Sequence, residues 1–276
     1  MEFVGASPPC YWIDVKNRWK LHWALIFWAI VIVYQLTPAA GADDDCRLVP
    51  SPTIIYQAEH ELHQSWTVDD SAVFWSRKSP AAAAYSGFHD EIRKRVPDLD
   101  PYSILQRQYQ DFIRSGNPVF LAEAEKIKVV LAKLAENIRS INCLEALLLT
   151  IQLERQSMID QPSEFGAFIL KNADPAHPQI KIYYSTWDRP GGKMDKRVMS
   201  LVDADLSGGW ILWRHLHNHN FFFHSTVSVM GGTCPSKADV KLYLNLREDH
   251  GLRSASITNG FDTIDLSPED FRKLDL

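Results

Sequence analysis

The chain has 276 residues, of which 46% are apolar and 23% are charged. This composition is ordinary for globular proteins and excludes a wholly disordered chain, a collagen and a coiled coil. The net charge is −5, from 34 acidic and 29 basic residues. Proteins that bind nucleic acid usually have a basic balance or a basic stripe, so we expect no nucleic-acid partner. Four cysteines are too few for a scaffold built on disulfides.

An apolar run near the N-terminus indicates a targeting segment. Residues 23–36 contain no charge, three basic residues precede them, and small residues follow at Ala40 and Ala42. Fourteen helical residues span about 21 Å, less than the roughly 30 Å of a bilayer core. We therefore predict that residues 1–42 are a signal peptide cleaved after Ala42, with an uncleaved signal anchor as the alternative. The protein would be exported, periplasmic or secreted, or attached to a membrane only through this segment.

The next part of the chain, residues 43–140, is predicted to be a mainly helical region. The helical pattern begins at about residue 53 and continues to about residue 160. Apolar residues recur at three- and four-residue spacing from Leu105 to Ile113. Residues 122–139 are rich in strong helix formers, and residues 142–158 carry a broad apolar face.

Three cysteines follow the targeting segment: Cys46, Cys143 and Cys234. Three cysteines allow at most one disulfide within the chain and leave one thiol over. In an oxidising compartment, Cys46 and Cys143 are the candidate pair.

After Pro162 the periodicity changes to that of a mixed α/β structure. Asn259-Gly260 between apolar flanks predicts a hairpin. A turn is predicted at 188–193, and a final short helix begins after Ser267. The remaining predicted elements are four strands, at 165–170, 180–184, 198–202 and 210–213, and a helix at 236–250.

Three alternating histidines are the feature of this half that points to chemistry. His215, His217 and His219 lie in the segment RHLHNHN, and alternate side chains of a strand share one face. Two imidazoles and one carboxylate would give zinc three protein ligands and leave its fourth position for water, as in catalytic zinc sites. A second carboxylate could then act as general base toward that water.

The order of residues around these histidines resembles the JAMM (MPN-plus, JAB-domain) zinc metalloproteases over about residues 142–276. In that family a Glu followed closely by Gly begins a strand, H-x-H comes later, and S-x-x-D opens a helix. Here Glu164 precedes Gly166 and lies 53 residues before His217, while Ser236 and Asp239 occupy the S-x-x-D positions.

The resemblance implies an α/β (α+β) fold, in which residues 141–276 form a JAB/MPN-like mixed sheet flanked by helices. It implies that His217, His219 and Asp239 bind Zn²⁺ and that Glu164 activates the zinc water as general base. Ser236 would help to stabilise the oxyanion. The reaction would be hydrolysis of a peptide or isopeptide bond in a peptide or protein substrate.

Two points stay open in this interpretation. His217-Asn218-His219 resembles the H-N-H form of the RadC branch, whereas His215-Leu216-His217 after Trp213 resembles the form of the isopeptidases. The usual proline after the second histidine is absent in both registers. The loop after His219 is longer than is usual in the family, and as an apolar loop it could form a lid or a substrate wall. Its phenylalanines, residues 221–223, predict packing or a wall rather than insertion into a membrane. The alternative function is a catalytically silent JAB-fold module that binds or scaffolds a partner.

Overall fold

A mixed sheet of eight strands organises the structure, a computed structural model that describes residues 45–156, 158–159, 161–192, 194–223 and 229–276. The strands are β1 (Thr53–Gln57), β2 (Glu61–Asp69), β3 (Ile138–Ser140), β4 (Glu164–Lys171), β5 (Gln179–Trp187), β6 (Ile211–Asn218), β7 (Phe221–Phe222), β8 (Val229–Met230), β9 (Ala255–Thr258) and β10 (Asp262–Leu266). The strand order is β1-β2-β5-β4-β6-β9-β10-β3, with β6 and β9 parallel and the other neighbours antiparallel. The two short strands β7 and β8 pair with each other.

Helices cover both faces of this sheet. The helices are α1 (Ala83–Arg95), α2 (Pro101–Ser115), α3 (Pro118–Val129), α4 (Cys143–Arg155), α5 (Lys196–Ser207), α6 (Lys237–His250) and α7 (Pro268–Leu274). Asp100 and Asn117 cap α2 and α3 with their side chains, and a proline occupies the first turn of each. The part of the chain that the structure describes contains no helix with the length and apolar character of a bilayer span.

Two apolar cores lie on opposite faces of the sheet because successive residues of β4 and β5 point to opposite sides. Phe168 and Tyr183 belong to the core that also contains residues of α2, α3, α5, α6 and α7. Ile169 and Tyr184 belong to the other core, which contains residues of α1 and α4. Helices that precede residue 140 in the sequence therefore pack on both faces of the sheet.

The prediction of a mixed α/β fold is confirmed. The predicted helices at 142–158 and 236–250 correspond to α4 and α6, and the predicted hairpin at Asn259-Gly260 joins β9 to β10. The structure also contains the Cys46–Cys143 disulfide, while Cys234 is a buried free thiol. The predicted targeting segment, residues 1–42, lies outside the described residues.

Two predictions of local structure were wrong. The helical pattern does not begin at residue 53, since residues 53–57 and 61–69 form β1 and β2. The sequence of β2 lacks the alternation of apolar and polar residues that is typical of a strand, because the polar side chains of His63 and Gln64 are buried. Residues 198–202, predicted as a strand, lie in α5, where Val198 and Val202 are buried four residues apart. Because β2 pairs with β5, residues before 140 form part of the central sheet, and residues 45–276 form one compact unit.

Candidate metal centre

Three of the predicted ligands converge at the end of β6. His217 is in the strand, His219 follows its last residue, and Asp239 lies in the first turn of α6. The Nε2 atoms of His217 and His219 are 3.3 Å apart. Nε2 of His217 is 3.5 Å from Oδ1 of Asp239, and Nε2 of His219 is 3.5 Å from Oδ2. The described part of the chain brings no other group of three such side chains together in this way.

The start of α6 fixes the carboxylate of Asp239. Ser236 is the N-cap residue, and its Oγ accepts a hydrogen bond from the backbone N–H of Asp239 at 3.2 Å. In return, Oδ2 of Asp239 accepts from the backbone N–H of Ser236 at 2.7 Å, which completes a capping box. The side chain that caps the helix therefore also faces the two imidazoles.

Hydrogen bonds at the opposite ring nitrogens orient both imidazoles. Nδ1 of His219 donates to the carbonyl of Gly232 at 2.8 Å, and Nδ1 of His217 lies 3.1 Å from the hydroxyl of Tyr243. The side-chain amide of Asn259 donates to the carbonyl of Gly231 at 2.7 Å, so the β9–β10 turn holds the loop that contacts His219. A proton on each Nδ1 leaves each Nε2 with a free lone pair toward the other ligands, as metal-bound histidines require.

The donor atoms fit a tetrahedral zinc ion. Bonds of about 2.0–2.1 Å at tetrahedral angles place ligand atoms about 3.3 Å apart, close to the separations observed here. Two neutral Nε2 lone pairs facing each other at 3.3 Å repel unless a cation or a proton lies between them. The chemistry of two imidazoles and one carboxylate is also that of known catalytic zinc sites.

The protonation states suit metal binding. Burial lowers the pKa of His217 to about 4, so its imidazole is neutral at pH 7. Burial alone would raise the pKa of Asp239, but the neighbouring His217 and His219 hold that pKa well below its usual range. Burial also opposes a charge on His219, yet the hydrogen bond and the charge of Asp239 raise the pKa of its imidazole. A cation held by His219 would replace this proton, since ligands bind metal in their deprotonated form.

Glu164, the predicted general base, lines the same cavity as the three converging residues. Its Oε2 accepts a hydrogen bond from the backbone N–H of Gly191 at 2.6 Å. Burial raises the pKa of Glu164, the backbone hydrogen bond and His219 oppose this rise, and Asp239 adds to it. A carboxylate with a raised pKa holds a proton more readily than an ordinary one, which suits a group that must both accept and release a proton.

Ser236 and His215 occupy different places around this group. Ser236 lines the cavity, and its hydroxyl oxygen is used as the helix cap. The ring of His215 lies 5.5 Å from that of His217, and burial lowers its pKa to about 3. His215 does not belong to the converging group. Of the two histidine registers, the structure brings together His217 and His219.

The cavity beside these residues has a volume of about 540 Å³. Residues of α2 and α3, which no sequence motif identifies, also line this cavity. These are Gln108, Phe112, Val119, Phe120, Glu123 and Ile127.

Phe221 and Phe223 do not line the cavity, and the predicted alternative of packing applies to both. Phe221 is 1% exposed and packs against Phe88 and Phe261 in the core on the other face of the sheet. The ring of Phe223 lies under the guanidinium of Arg95, at 5.2 Å. Residues 224–228 lie outside the described part of the chain.

Comparison with known proteins gives no relative: no protein-family model, no curated protein and no solved structure matches this chain. The resemblance to the JAMM metalloproteases therefore rests on the residue pattern alone.

Proposed function

We propose that this protein is a zinc-dependent, JAMM-like peptidase or isopeptidase that uses Glu164 as general base. The observation that carries the proposal is the approach of His217, His219 and Asp239, whose donor atoms lie 3.3 to 3.5 Å apart beside a cavity. A second carboxylate, Glu164, lines that cavity without belonging to the converging group. Three ligands and one further carboxylate are the parts that metal-assisted hydrolysis needs.

In this proposal Nε2 of His217, Nε2 of His219 and the carboxylate of Asp239 hold the ion. Bound zinc supplies Lewis acidity, which polarises a carbonyl group and lowers the pKa of a water molecule. Glu164 is held through Oε2 by the Gly191 N–H, so its Oε1 takes the proton of the attacking water. The same oxygen then delivers the proton to the leaving amine, which requires the raised pKa described above.

Ser236 is the proposed oxyanion donor. Because its Oγ already accepts a hydrogen bond from the N–H of Asp239, its hydroxyl hydrogen is left to donate a further hydrogen bond. This hydrogen can point into the cavity, where it would donate to the carbonyl oxygen of the bond that breaks.

The Cys46–Cys143 disulfide supports an exported location for this enzyme. Disulfides persist in oxidising compartments such as the periplasm and the extracellular space. The proposed substrate is accordingly a peptide or protein met outside the cytosol, or at a membrane surface if the N-terminal segment stays attached.

The test compares Glu164→Gln with His217→Ala, using hydrolysis of a fluorogenic peptide library and zinc content. Glu164→Gln should keep zinc and lose about 10²–10⁴-fold in kcat, because only the proton acceptor is removed. His217→Ala should lose both zinc and hydrolysis, because a ligand is removed. Hydrolysis by Glu164→Gln at the wild-type rate would show that Glu164 is not the base.

The alternative of a catalytically silent binding module has its own outcome in this test. Wild-type protein that holds zinc but cleaves none of the peptides would support it, since the metal centre would then only shape a binding surface.

A further inference from the structure

We infer that the cavity selects an apolar side chain next to the scissile bond, through a wall that α2 and α3 provide. We call Phe112, Val119, Phe120 and Ile127 the apolar wall. All four line the cavity together with the metal-centre residues. The inference rests on the proposed function and adds the class of substrate to it.

The apolar wall is fixed relative to the metal centre. The rings of Phe112 and Phe120 stack with their centroids 5.0 Å apart, so α2 and α3 present one surface. Oε1 of Glu123 on α3 accepts the backbone N–H of Lys237, two residues before Asp239, at 3.2 Å. These contacts hold the wall at a set distance from the ligands.

A glycine lets α2 approach the loop behind the metal centre. A Cβ atom on Gly232 would collide with the side chain of Gln108. The carbonyl of Gly232 orients His219, so α2 packs directly on a residue that positions a ligand. The helical region and the histidine pair thus form a single cavity.

The charges around the cavity favour an apolar occupant. Among the described residues that line it, the carboxylates outside the metal ligands are Glu123 and Glu164. Glu123 is paired with the buried ammonium of Lys126 at 2.7 Å, and Glu164 is the proposed base. A charged substrate side chain on the apolar wall would lose its hydration, and no charged group there is free to form an ion pair with it, so its binding is unfavourable.

The size and the mouth of the cavity agree with this occupant. Its volume of about 540 Å³ lies within the range of ligand pockets, about 300–1,000 Å³. This space admits an extended segment with one large side chain and excludes a folded domain. Val119 is 67% exposed at the wall, so part of the apolar surface is open to an incoming chain. A bulky apolar residue of the substrate would cover it and be removed from water.

The experiment measures binding of N-acetyl amino-acid hydroxamates, which chelate zinc, to the full chain loaded with zinc. Isothermal titration compares the phenylalanine, leucine and glycine hydroxamates, which differ only in the side chain. The phenylalanine and leucine compounds should bind at least about tenfold more tightly than the glycine compound, because the apolar wall buries their side chains.

Two variants of the wall and one control locate the effect. Val119→Asp places a charge on an exposed wall position, and Phe120→Ala shortens the wall. Each should reduce the phenylalanine-to-glycine affinity ratio at least about fivefold while zinc content stays the same. Leu201→Asp changes an apolar residue of α5 that is 42% exposed and does not line the cavity, and it should leave the ratio unchanged.

The outcomes separate this inference from the proposed function. Equal affinity for the three hydroxamates, or no binding by zinc-loaded protein, would overturn the apolar selection while leaving the zinc site in place. An unchanged ratio in both wall variants would show that another surface selects the side chain. A folded protein that takes up no zinc would overturn the proposed function itself.

Discussion

Tyr243 places its hydroxyl 3.1 Å from Nδ1 of His217, the ring nitrogen opposite the one that faces Asp239. The side chain is fully buried in α6, where its ring also packs near Phe271. This contact holds the orientation of the ring, and the tyrosine oxygen can accept the Nδ1 proton that a metal at Nε2 would require. Tyr243 is therefore a positioning residue for the candidate metal centre.

Tyr243→Phe tests this role because it removes one oxygen atom and keeps the packed ring. Loss of a hydrogen bond to a metal-binding histidine typically lowers metal affinity about 10–100-fold. Titration of the protein against a chromophoric zinc chelator measures the change. Tyr183→Phe is the matched control, since it removes another phenolic hydroxyl, one that binds Asp205. Equal zinc affinity in wild type and Tyr243→Phe would contradict the role.

The residues of the candidate site could be picked out from the sequence, whereas those that orient them could not. Glu164, His217 and Asp239 stand out because their order and spacing resemble a metalloprotease motif. The contact between Tyr243 and His217 joins residues 26 apart and leaves no local pattern. The partner of His219 is a backbone carbonyl, which every residue possesses, so no side chain in the sequence marks it.

At the scale of elements, the residues that stabilise the start of helix α6 also belong to the candidate site. Ser236 and Asp239 form its capping box, and α7 begins with an equivalent box of Ser267 and Asp270. One sequence, P-S-x-x-D, thus provides both the helix cap and the carboxylate of the candidate ligand Asp239.

The two capping boxes provide a matched pair of substitutions. Ser236→Ala and Ser267→Ala should each lower the free energy of unfolding by about 0.5–2 kcal/mol, because each removes an N-cap oxygen. Ser236→Ala should also lower kcat by about 10²–10³-fold, because an oxyanion donor is lost, while Ser267→Ala should not. Chemical denaturation and peptide hydrolysis measure the two effects. If both variants keep wild-type kcat, Ser236 is only a helix cap.

Element prediction succeeded where local signals agree and failed where burial hides them. Helix α4 has both its apolar face and an Asn142–Glu145 capping box, and the Asn259-Gly260 turn matches its hairpin. Strand β2 contains buried polar residues, among them His63, whose Nδ1 lies 2.7 Å from Oγ of Ser185 on the neighbouring strand. That partner is supplied by the tertiary fold, so the strand cannot be recognised from alternation of apolar residues.

At the scale of the whole molecule, the helical region contributes directly to the candidate site. Residues of α2 and α3 line the cavity together with the three converging residues, and β1 and β2 extend the sheet beside β5. The Cys46–Cys143 disulfide ties the start of the described chain to α4 across 97 positions of sequence. The mixed α/β class could be predicted because strand and helix patterns alternate after residue 162. The packing of the two halves could not, because it depends on contacts between distant residues.

The metal content of the purified protein shows whether the three converging side chains bind zinc. Elemental analysis of residues 45–276, which form one compact unit, would be carried out beside His217→Ala after both proteins are supplied with zinc. Circular dichroism would establish that both are folded. We expect about one zinc ion per wild-type chain and none in the variant, because two ligands hold zinc far more weakly than three. A folded wild-type protein without metal, or a variant that retains zinc equally well, would contradict this expectation.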